Sequence, residues 1–579
     1  MKKLNAGPLT LEYSEGSLWN VCLGEEEAIR RVYLVFQDIN WTSRPFEILE
    51  EKWNIADDHF SADLELRGSN DAENFQAKLQ IVGSSVGEIK YGFIGSSTSD
   101  FMRNRLGLCL LHPIANLAGK SCKLILSGGT KIISEFPNDI SPSQPFKNLS
   151  GISHTLNNGQ TLEVKFKGEV FETEDHRNWS DASYKTYCTP IELPFPVEVS
   201  KGDQIAQEVT VSLSGKASRL QKPTQSKVTI SVSDSEVSLP DIGLNIAEDF
   251  SESDHDEFSE IGIGHLRLNL DLDDESNTNF SSAVKLSKKL GLKLDLAVKA
   301  TSVNQIKEFL HRNEELTTVI RSLLIFSKTH KVTPAEFIAT ARELLGPQQI
   351  ISAGTDLYFT EINRGSAVVP GIDQINFSLN PQVHSFDDRT LTQNLATQEV
   401  IALNAARIAG SKRISVGPIT LRPRFNPNAT QPDKDVSNTA LPASVDSRQR
   451  TWFNEAWTAI SIKYLSQSNS INSATYFESV GWRGIRESKS GSKDSINFPS
   501  ESGEAFPVWN LFVALKGFSI CRKSSSSAPE VVDSLIIRNS ETTRLILANF
   551  SSEAQQVHFA GIDLAPVVLP PTSTTYLDI

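Results

Sequence analysis

Two short stretches decide the fold: His265–Leu272 is HLRLNLDL, and Leu292–Ala300 is LKLDLAVKA. In both, leucine or valine alternates with a polar residue, the period of a β-strand with one apolar and one polar face. Between them lies an amphipathic helical pattern that stops at Gly291. Strand, helix and strand in this order predict a parallel α/β architecture.

The same unit recurs eight times within residues 238–520. Helix starts are indicated by Ser302 with Gln305 and by the capping box Thr333–Glu336, whose helix should end near Gly346. A (β/α)8 barrel of ~250 residues accounts for this number, with leucine faces toward the helices and polar faces toward the axis. The predicted strands are 240–246, 265–272, 292–299, 320–327, 349–360, 373–379, 413–421 and 472–478.

The flanking regions have a different pattern. Residues 1–235 alternate apolar and polar side chains between Gly, Asn, Asp and Ser turns, which is typical of an antiparallel β-sandwich. Residues 528–579 read as a small C-terminal β domain. The sequence therefore predicts a multidomain α/β plus β protein, with domains 1–235, 238–520 and 528–579.

Composition excludes several function classes. The 579 residues have a formal net charge of -14 and no Lys/Arg stripe, which argues against a nucleic-acid partner. No run of ~18 apolar residues predicts a membrane span, and the first residues lack a signal-peptide core, so we expect a cytoplasmic protein. The five cysteines are scattered and form no C-x-x-C pair, so buried free thiols are expected rather than disulfides or a zinc site.

Two glutamates fall where barrel active sites lie, at the carboxyl ends of strands. Glu361 follows the fifth strand in YFTEINRG, and Glu478 ends the eighth in TYFESVGWRG. Paired carboxylates suit hydrolysis, since one can donate a proton while the other activates water. Alternatively, each forms a structural salt bridge with a nearby arginine, Arg364 or Arg483. No metal-binding or nucleophile-elbow motif is present, so cofactor-free hydrolysis is predicted.

The polar segment Glu174–Tyr187, EDHRNWSDASYKTY, interrupts the first β region. An aromatic ring flanked by planar polar groups suits carbohydrate-like ligands, so we expect this segment to cover the barrel mouth. A polar interdomain contact is the alternative. The predicted substrate contacts are Asp175, Arg177, Asn178, Trp179, Asp181 and Lys185 from this segment, and Arg267, Asn363, His384, Arg422 and Trp482 from the barrel.

A second polar segment, SDHDE at Ser253–Glu257, offers possible cation ligands. A solvated acidic loop is the favoured interpretation of this segment. No metal site is predicted.

Four segments together resemble the D-apionate lactonase family: NRLGLCLLHP (104–113), FETEDHRNWSDASYKTYCTPIELPFPVEV (171–199), GTDLYFTEINR (354–364) and YFESVGWRG (476–484). The resemblance implies an N-terminal domain, a TIM barrel and a C-terminal domain. It also implies hydrolysis of D-apionolactone to D-apionate in apiose catabolism. His176 and Ser180 replace the Gln and Thr that are more usual in the family, which leaves open a different sugar lactone or a different substrate altogether.

Two other function classes fit the same layout. A glycoside hydrolase would use two rim glutamates on the same architecture, because fold does not fix function. A non-catalytic carbohydrate-binding protein would lack open rim carboxylates. A small carbohydrate or sugar lactone is the expected ligand, and a homo-oligomer is possible.

Overall fold

The computed structural model describes residues 1–69, 74–216, 227–248, 250–274, 279–313, 316–427 and 441–579. These residues form two compact units. The first comprises 1–177 and 182–216, and the second comprises 178–181 and the described residues from 227 to 579.

The first unit is built from strands. They are β1 Lys2–Ala6, β2 Leu9–Ser14, β3 Ser17–Leu23, β4 Glu26–Gln37, β5 Ser43–Arg44, β6 Phe46–Ile55, β7 Phe60–Ser69, β8 Asn74–Gly83, β9 Glu88–Ser97, β10 Phe101–Arg103, β11 Arg105–Pro113, β12 Ser121–Leu126, β13 Lys131–Glu135, β14 Phe146–Thr155, β15 Thr161–Lys167, β16 Phe171–Asp175, β17 Ser183–Tyr187, β18 Val197–Val199 and β19 Gln204–Ser214.

Every pairing among these strands is antiparallel. A run from β2 through β3, β4 and β11 to β17 continues into β16 and β14, and a second run joins β15, β19, β9, β8, β7 and β6. Alternate side chains are buried along β9 and β15, as the sequence predicted. Their apolar faces share one core with residues such as Phe36, Phe75 and Leu162.

The second unit begins with β20 Val228–Ser238 and continues into a closed barrel. All eight barrel strands are parallel, and β28 closes the ring against β21. The predicted closed barrel of eight parallel strands is therefore confirmed, with strand ends within two residues of those predicted. Between β21 and β22 the described residues form two 3-10 turns, Glu252–His255 and Phe258–Glu260, where the prediction expected an α-helix. The strands are β21 Asp241–Asn245, β22 His265–Asp271, β23 Lys293–Ala300, β24 Ile320–Ser327, β25 Ile350–Tyr358, β26 Gln374–Leu379, β27 Arg413–Ile419 and β28 Ser473–Glu478.

Helices connect the barrel strands. Within the described residues, none is long and apolar enough to cross a lipid bilayer. They are α1 Asn279–Leu290, α2 Val303–Arg312, α3 Leu316–Val319, α4 Ala335–Leu345, α5 Phe359–Arg364, α6 Asp388–Gln393, α7 Thr397–Ala409, α8 Trp452–Gln467 and α9 Val508–Leu515.

The helix-capping predictions are largely confirmed. Ser302 and Gln305 form a capping box at α2, and Gly346 ends α4 with a φ of 71°. The predicted capping box at Thr333 is wrong, because Pro334 is the N-cap and makes no side-chain cap bond. Thr333 instead donates its hydroxyl to backbone carbonyls of neighbouring barrel strands.

The polar faces of the first barrel strands point to the axis, as predicted. His265 on β22 places Nε2 2.9 Å from Thr475 Oγ1 on β28, and its Nδ1 lies 3.1 Å from a carboxylate oxygen of Asp241. Gly243 lies between them, and a Cβ at this position would overlap the His265 ring. The missing side chain thus makes room for the imidazole.

Gly354 allows two barrel strands to approach closely. Its φ is 135°, and an added Cβ would lie 2.1 Å from the carbonyl oxygen of Asn376 on β26. We expect Gly354→Ala to lower the free energy of unfolding by about 1–3 kcal/mol, since backbone must shift to admit the methyl group. Chemical denaturation measures this loss. Gly410→Ala is the matched control, because Gly410 also has positive φ (60°) but no neighbour within 4 Å. Equal losses in the two variants would contradict the proposed clash.

A mixed sheet of seven strands follows the barrel. It has the order β33, β32, β20, β29, β30, β31 and β34, with only β20 and β32 parallel. The predicted C-terminal region thus pairs with a strand that precedes the barrel, and the predicted boundary at residue 235 falls inside that strand. The last strands are β29 Ile520–Ser526, β30 Val532–Arg538, β31 Thr543–Asn549, β32 Gln555–Ala560, β33 Val567–Leu569 and β34 Ser573–Asp578.

Helix α8 packs against this sheet through buried polar pairs. Lys463 bonds Asp533 on β30, with both side chains 1% exposed, and the Tyr464 hydroxyl donates to the other Asp533 oxygen at 2.9 Å. Tyr576 on β34 donates to Glu455 at 2.6 Å. The sheet is therefore joined to the barrel by specific polar contacts as well as by apolar packing.

Candidate active site

A cavity of about 570 Å³ opens at the carboxyl ends of the barrel strands. This is the end at which barrel enzymes hold their active sites. Its charged lining residues are Glu248, Asp271, Asp274, Lys299, Asp356, Arg422, Arg424, Asp446, Glu478 and Arg483. Two of the predicted residues, Glu478 and Arg422, are among them.

Glu478 is the last residue of β28. The residue before it, Phe477, has a φ of 41°, a left-handed conformation that bulky side chains rarely adopt. The side-chain amide of Asn245 donates to the Phe477 carbonyl at 2.6 Å and helps to hold this conformation. Backbone strain of this kind concentrates at functional sites.

The buried environment of Glu478 favours its protonated form. Burial raises the pKa of Glu478, and the negative charge of Glu248 raises it further. Arg483, with Nη2 2.8 Å from Oε1 of Glu478, lowers the pKa only in part. A carboxyl group with a raised pKa in a cavity is suited to donate a proton.

Asp356 has the opposite environment. Lys299 Nζ lies 2.7 Å from one carboxylate oxygen, Arg424 donates to the other, and Arg267 Nη2 lies 3.7 Å from that second oxygen. Burial would raise the pKa of Asp356, but the charges of Arg424, Lys299 and Arg267 outweigh burial and lower it to about 2. Asp356 is therefore an anion throughout the neutral range.

A chain of polar contacts runs from Asp356 through Arg267 to Asn245, which bonds the residue before Glu478. Arg267 Nε donates to Asn269 at 3.0 Å, and Asn269 Nδ2 donates to Asn245 at 3.1 Å. Arg267 Nη1 also donates to the Gly417 carbonyl at 2.7 Å. Burial lowers the pKa of Arg267 to about 10, so its guanidinium stays charged at neutral pH. Arg267 thus organises the barrel interior and does not line the cavity.

Arg422 lies on the cavity wall beside a second buried carboxylate. Its Nε donates to Asp446 at 3.2 Å, and Arg448 also bonds both oxygens of Asp446. Burial would raise the pKa of Asp446, but the hydrogen bonds and charge of Arg448 hold it well below its usual range. Asp446 therefore fixes the arginine that the sequence predicted as a substrate contact.

Glu361 is placed differently from Glu478. It lies in the first turn of α5, is 9% exposed, and has Oε1 3.1 Å from Lys331 Nζ. It is absent from the described residues that line the cavity. The structure thus does not bring the two predicted glutamates into one cavity. Glu361 pairs with Lys331, whereas Glu478 makes the salt bridge with Arg483 that the alternative interpretation predicted.

Asp175 and Arg177 from the polar segment form an ion pair with each other in the first unit. Arg177 Nε and Nη2 donate to the two Asp175 oxygens at 2.9 and 2.7 Å. Arg177 also donates to the carbonyls of Pro137, Asn138 and Asp139. Both side chains are buried, so their contacts are those of a structural cluster.

Lys185 on β17 is also paired within the first unit. Its Nζ lies 3.1 Å from Glu174 Oε1 on the neighbouring strand β16, and its side chain is buried. This contact again fits a structural role.

The tetrapeptide 178–181 belongs to the second unit and contacts barrel loops there. Asn363 donates to Asn178 at 2.9 Å, and His384 Nδ1 lies 2.6 Å from an Asp181 oxygen. The Trp179 ring packs edge-on against His384. None of Glu174–Tyr187 is among the cavity-lining residues of the described chain, so their roles as substrate contacts stay predictions.

Two further segments sit beside Glu478. Trp482 lies under Lys493, whose Nζ is 5.6 Å from the ring centre.

The expectation that Ser253–Glu257 is a solvated acidic loop is wrong for Asp254 and His255, which are buried. His255 Nε2 lies 2.9 Å from Ser479 Oγ, and Asp254 accepts from the Lys489 amide at 2.8 Å. These contacts fix the chain immediately after Glu478.

Glu248, Lys299 and Asp356 are among the charged cavity residues that the sequence did not single out. They lie within three residues of the carboxyl ends of β21, β23 and β25. The signal that selected Glu478, a charged residue at the end of a barrel strand, applies equally to them. Applied to every strand, it would have found all three.

Comparison with known proteins bears on this site. Family models described as "D-apionate lactonase, N-terminal domain" and "D-apionate lactonase, TIM barrel domain" match residues 1–216 and 245–519. The chain belongs to the D-apionate lactonase family. A D-apionate lactonase from Brucella anthropi is 27% identical over 479 residues, which cover 78% of each chain. The family domains include the cavity and every predicted site residue.

Solved structures resemble the chain only weakly. A GH30 endoxylanase from Clostridium papyrosolvens has 10% identity and a TM-score of 0.37, covering 61% of this chain and 97% of its own. A beta-arabinopyranosidase has 10% identity and a TM-score of 0.29, covering 100% of this chain and 98% of its own. Scores this low do not bear on the activity of this D-apionate lactonase family member.

Proposed function

We propose that this protein hydrolyses a sugar-derived lactone of the D-apionolactone type, giving the open-chain sugar acid. Membership of the D-apionate lactonase family is the observation that carries the reaction class. The polar cavity at the carboxyl end of the barrel supports the assignment of residues. It offers both acidic and cationic side chains, as ester hydrolysis requires.

In the proposed mechanism, Glu248 activates water. It accepts a proton as the water oxygen attacks the lactone carbonyl, and the carbonyl oxygen becomes an oxyanion. Lys299 and Arg424 stabilise that negative charge. Lys299 is the penultimate residue of β23, three strands away from β28 and Glu478 around the closed ring. The oxyanion would therefore form on the side of the cavity away from Glu478.

Glu478 acts as the general acid in this proposal. The tetrahedral intermediate breaks its bond to the ring oxygen, and Glu478 gives that oxygen its proton. The product is a hydroxy acid, whose carboxyl group then loses its proton to solvent. Transfer of the proton held by Glu248 back to Glu478 through solvent restores both groups. The raised pKa of Glu478 supports this role, because the carboxyl group stays protonated above the ordinary glutamate range.

A side-by-side assay tests the reaction class. Purified protein is given D-apionolactone, other sugar lactones and aryl glycosides, and acid release or aryl alcohol release is followed. Lactone hydrolysis without glycoside cleavage is expected. Glycoside cleavage without lactone hydrolysis would replace the proposal with the glycosidase alternative.

The pH profile tests the role of Glu478. An acid must be protonated, so activity should fall as pH rises through the raised pKa of Glu478. Because the Arg483 charge lowers that pKa, Arg483→Met should move the alkaline limb of kcat/KM to higher pH. Arg422→Met is the control, since Arg422 lines the same cavity but is not among the main charges acting on Glu478. A limb that stays in place or moves to lower pH in Arg483→Met would remove Glu478 as the acid.

A further inference from the structure

We infer that Lys299 and Arg424 form a binding subsite for the carboxylate of a polyhydroxy acid, the product of the proposed reaction. The inference rests on the proposed function and adds to it the orientation of the ligand. The charges next to Asp356 are unbalanced. Three cations, Lys299, Arg424 and Arg267, lie within 4 Å of this single carboxylate, which is a local excess of two positive charges.

A purely structural salt bridge does not need this excess. Burying charge is costly unless each charge is compensated, so one cation would satisfy Asp356 more cheaply than three. Arg267 is fully buried, and its Nη2 makes no hydrogen bond within the described residues. A second cavity carboxylate, Asp446, has two cations, Arg422 and Arg448, and the second of these also pairs with Asp388. The strongest excess of positive charge is therefore at Asp356.

Two of the three cations are accessible from the cavity. The side chains of Lys299 and Arg424 are 30% and 23% exposed, and both residues line it. Each also packs on the ring of Phe425, with the Lys299 Nζ 4.8 Å and the Arg424 Cζ 5.4 Å from the ring centre. The aromatic ring and Asp356 thus hold both cations in place before a ligand binds, which reduces the entropy lost on binding.

The chemistry of the ligand follows from this arrangement. A lactone is neutral, but its hydrolysis product carries a carboxylate, and charge-assisted hydrogen bonds to a carboxylate are stronger than those to a neutral carbonyl. The same two cations that face the developing oxyanion would then face the product carboxylate. The sugar acid is therefore bound with its carboxylate at Lys299 and Arg424, and its released hydroxyl group lies toward Glu478. Product inhibition follows directly from this geometry.

Calorimetry with D-apionate and its neutral counterpart D-apiitol, in which CH2OH replaces the carboxylate, tests the subsite. We expect wild-type protein to bind the acid at least tenfold more tightly than the alditol, with affinity falling as NaCl is raised. Arg424→Met and Lys299→Met should each weaken acid binding about tenfold or more. Arg424→Lys should retain most of it. Each methionine variant leaves two cations on Asp356, so that carboxylate stays compensated.

Arg321→Met is the matched control. Arg321 is also 23% exposed and pairs with Asp241 and Asp295, but it lies at the amino-terminal end of β24, away from the cavity. Acid affinity should be unchanged in this variant. Equal binding of acid and alditol, no binding of either, unchanged affinity in Arg424→Met, or an equal loss in Arg321→Met would each overturn the inference.

Turnover of D-apionolactone by wild-type protein is measured separately. Turnover without preference for the acid would overturn the subsite and leave the proposed function intact. Acid preference without turnover would support the subsite and overturn the proposed function.

Discussion

Glu478→Gln is expected to lower kcat for lactone hydrolysis by about 10²–10⁴-fold, the usual contribution of a positioned general acid. The amide has nearly the same shape but cannot supply the proton that the departing ring oxygen needs. Its amide group can still accept from Arg483, so the loop around the site should remain folded. Steady-state kinetics on the lactone, with circular dichroism and thermal unfolding on the same sample, measure both effects.

Glu361→Gln provides the comparison within the same chain. Glu361 was selected by the same sequence signal, but its contact is with Lys331 and it is absent from the described cavity lining. We expect kcat to stay within a few-fold of wild type in this variant. Near-normal turnover in Glu478→Gln, or an equal loss in Glu361→Gln, would reject the assignment of the acid.

Asp533→Ala is expected to lower the free energy of unfolding by about 3–5 kcal/mol, because it leaves the ammonium group of Lys463 buried without its counter-ion. Both side chains are fully enclosed between α8 and β30, and the Tyr464 hydroxyl would lose its acceptor as well. Denaturant titration followed by fluorescence measures this loss.

Two further variants test whether that loss of stability comes from leaving a buried charge without its counter-ion. Lys463→Met with Asp533→Leu should recover most of the stability, since apolar residues of similar volume often replace a buried ion pair without cost. Glu308→Ala removes an exposed pair with Arg312 and should change stability by less than about 1 kcal/mol. A single Asp533→Ala variant as stable as Glu308→Ala would show that the buried pair is not needed.

The barrel could be predicted because its signals are local. Alternation in HLRLNLDL and LKLDLAVKA, together with glycines such as Gly291 and Gly346 at helix ends, specifies each strand and helix from its own residues. The pairing of β20 with β29 could not be predicted in this way. It joins segments almost three hundred residues apart, and no short-range pattern records which edges meet.

The site was predictable only in part, for a related reason. Position at the end of a strand identified Glu478, but it could not tell which rim residues face the cavity. Glu361 enters a helical turn directly after β25, and this turn carries its side chain to Lys331, while Asp356, five residues earlier, faces inward. Likewise, the charges of EDHRNWSDASYKTY suggested a ligand, but Asp175 and Arg177 form an ion pair with each other. Composition does not reveal this pairing.

The antiparallel pairing of β20 with β29 has a practical consequence for dissecting the molecule. β20 directly precedes the barrel and β29 follows it, so the hydrogen bonds between these two strands hold together the two ends of the barrel segment. A fragment cut at 238 and 520 would lose this ladder of hydrogen bonds and expose the face of α8 that packs on the sheet, including Lys463 and Tyr464, whose partner Asp533 would be absent. A fragment running from Lys227 to Ile579 would keep the β20–β29 ladder and the sheet intact, so soluble, folded barrel should be sought from this longer fragment.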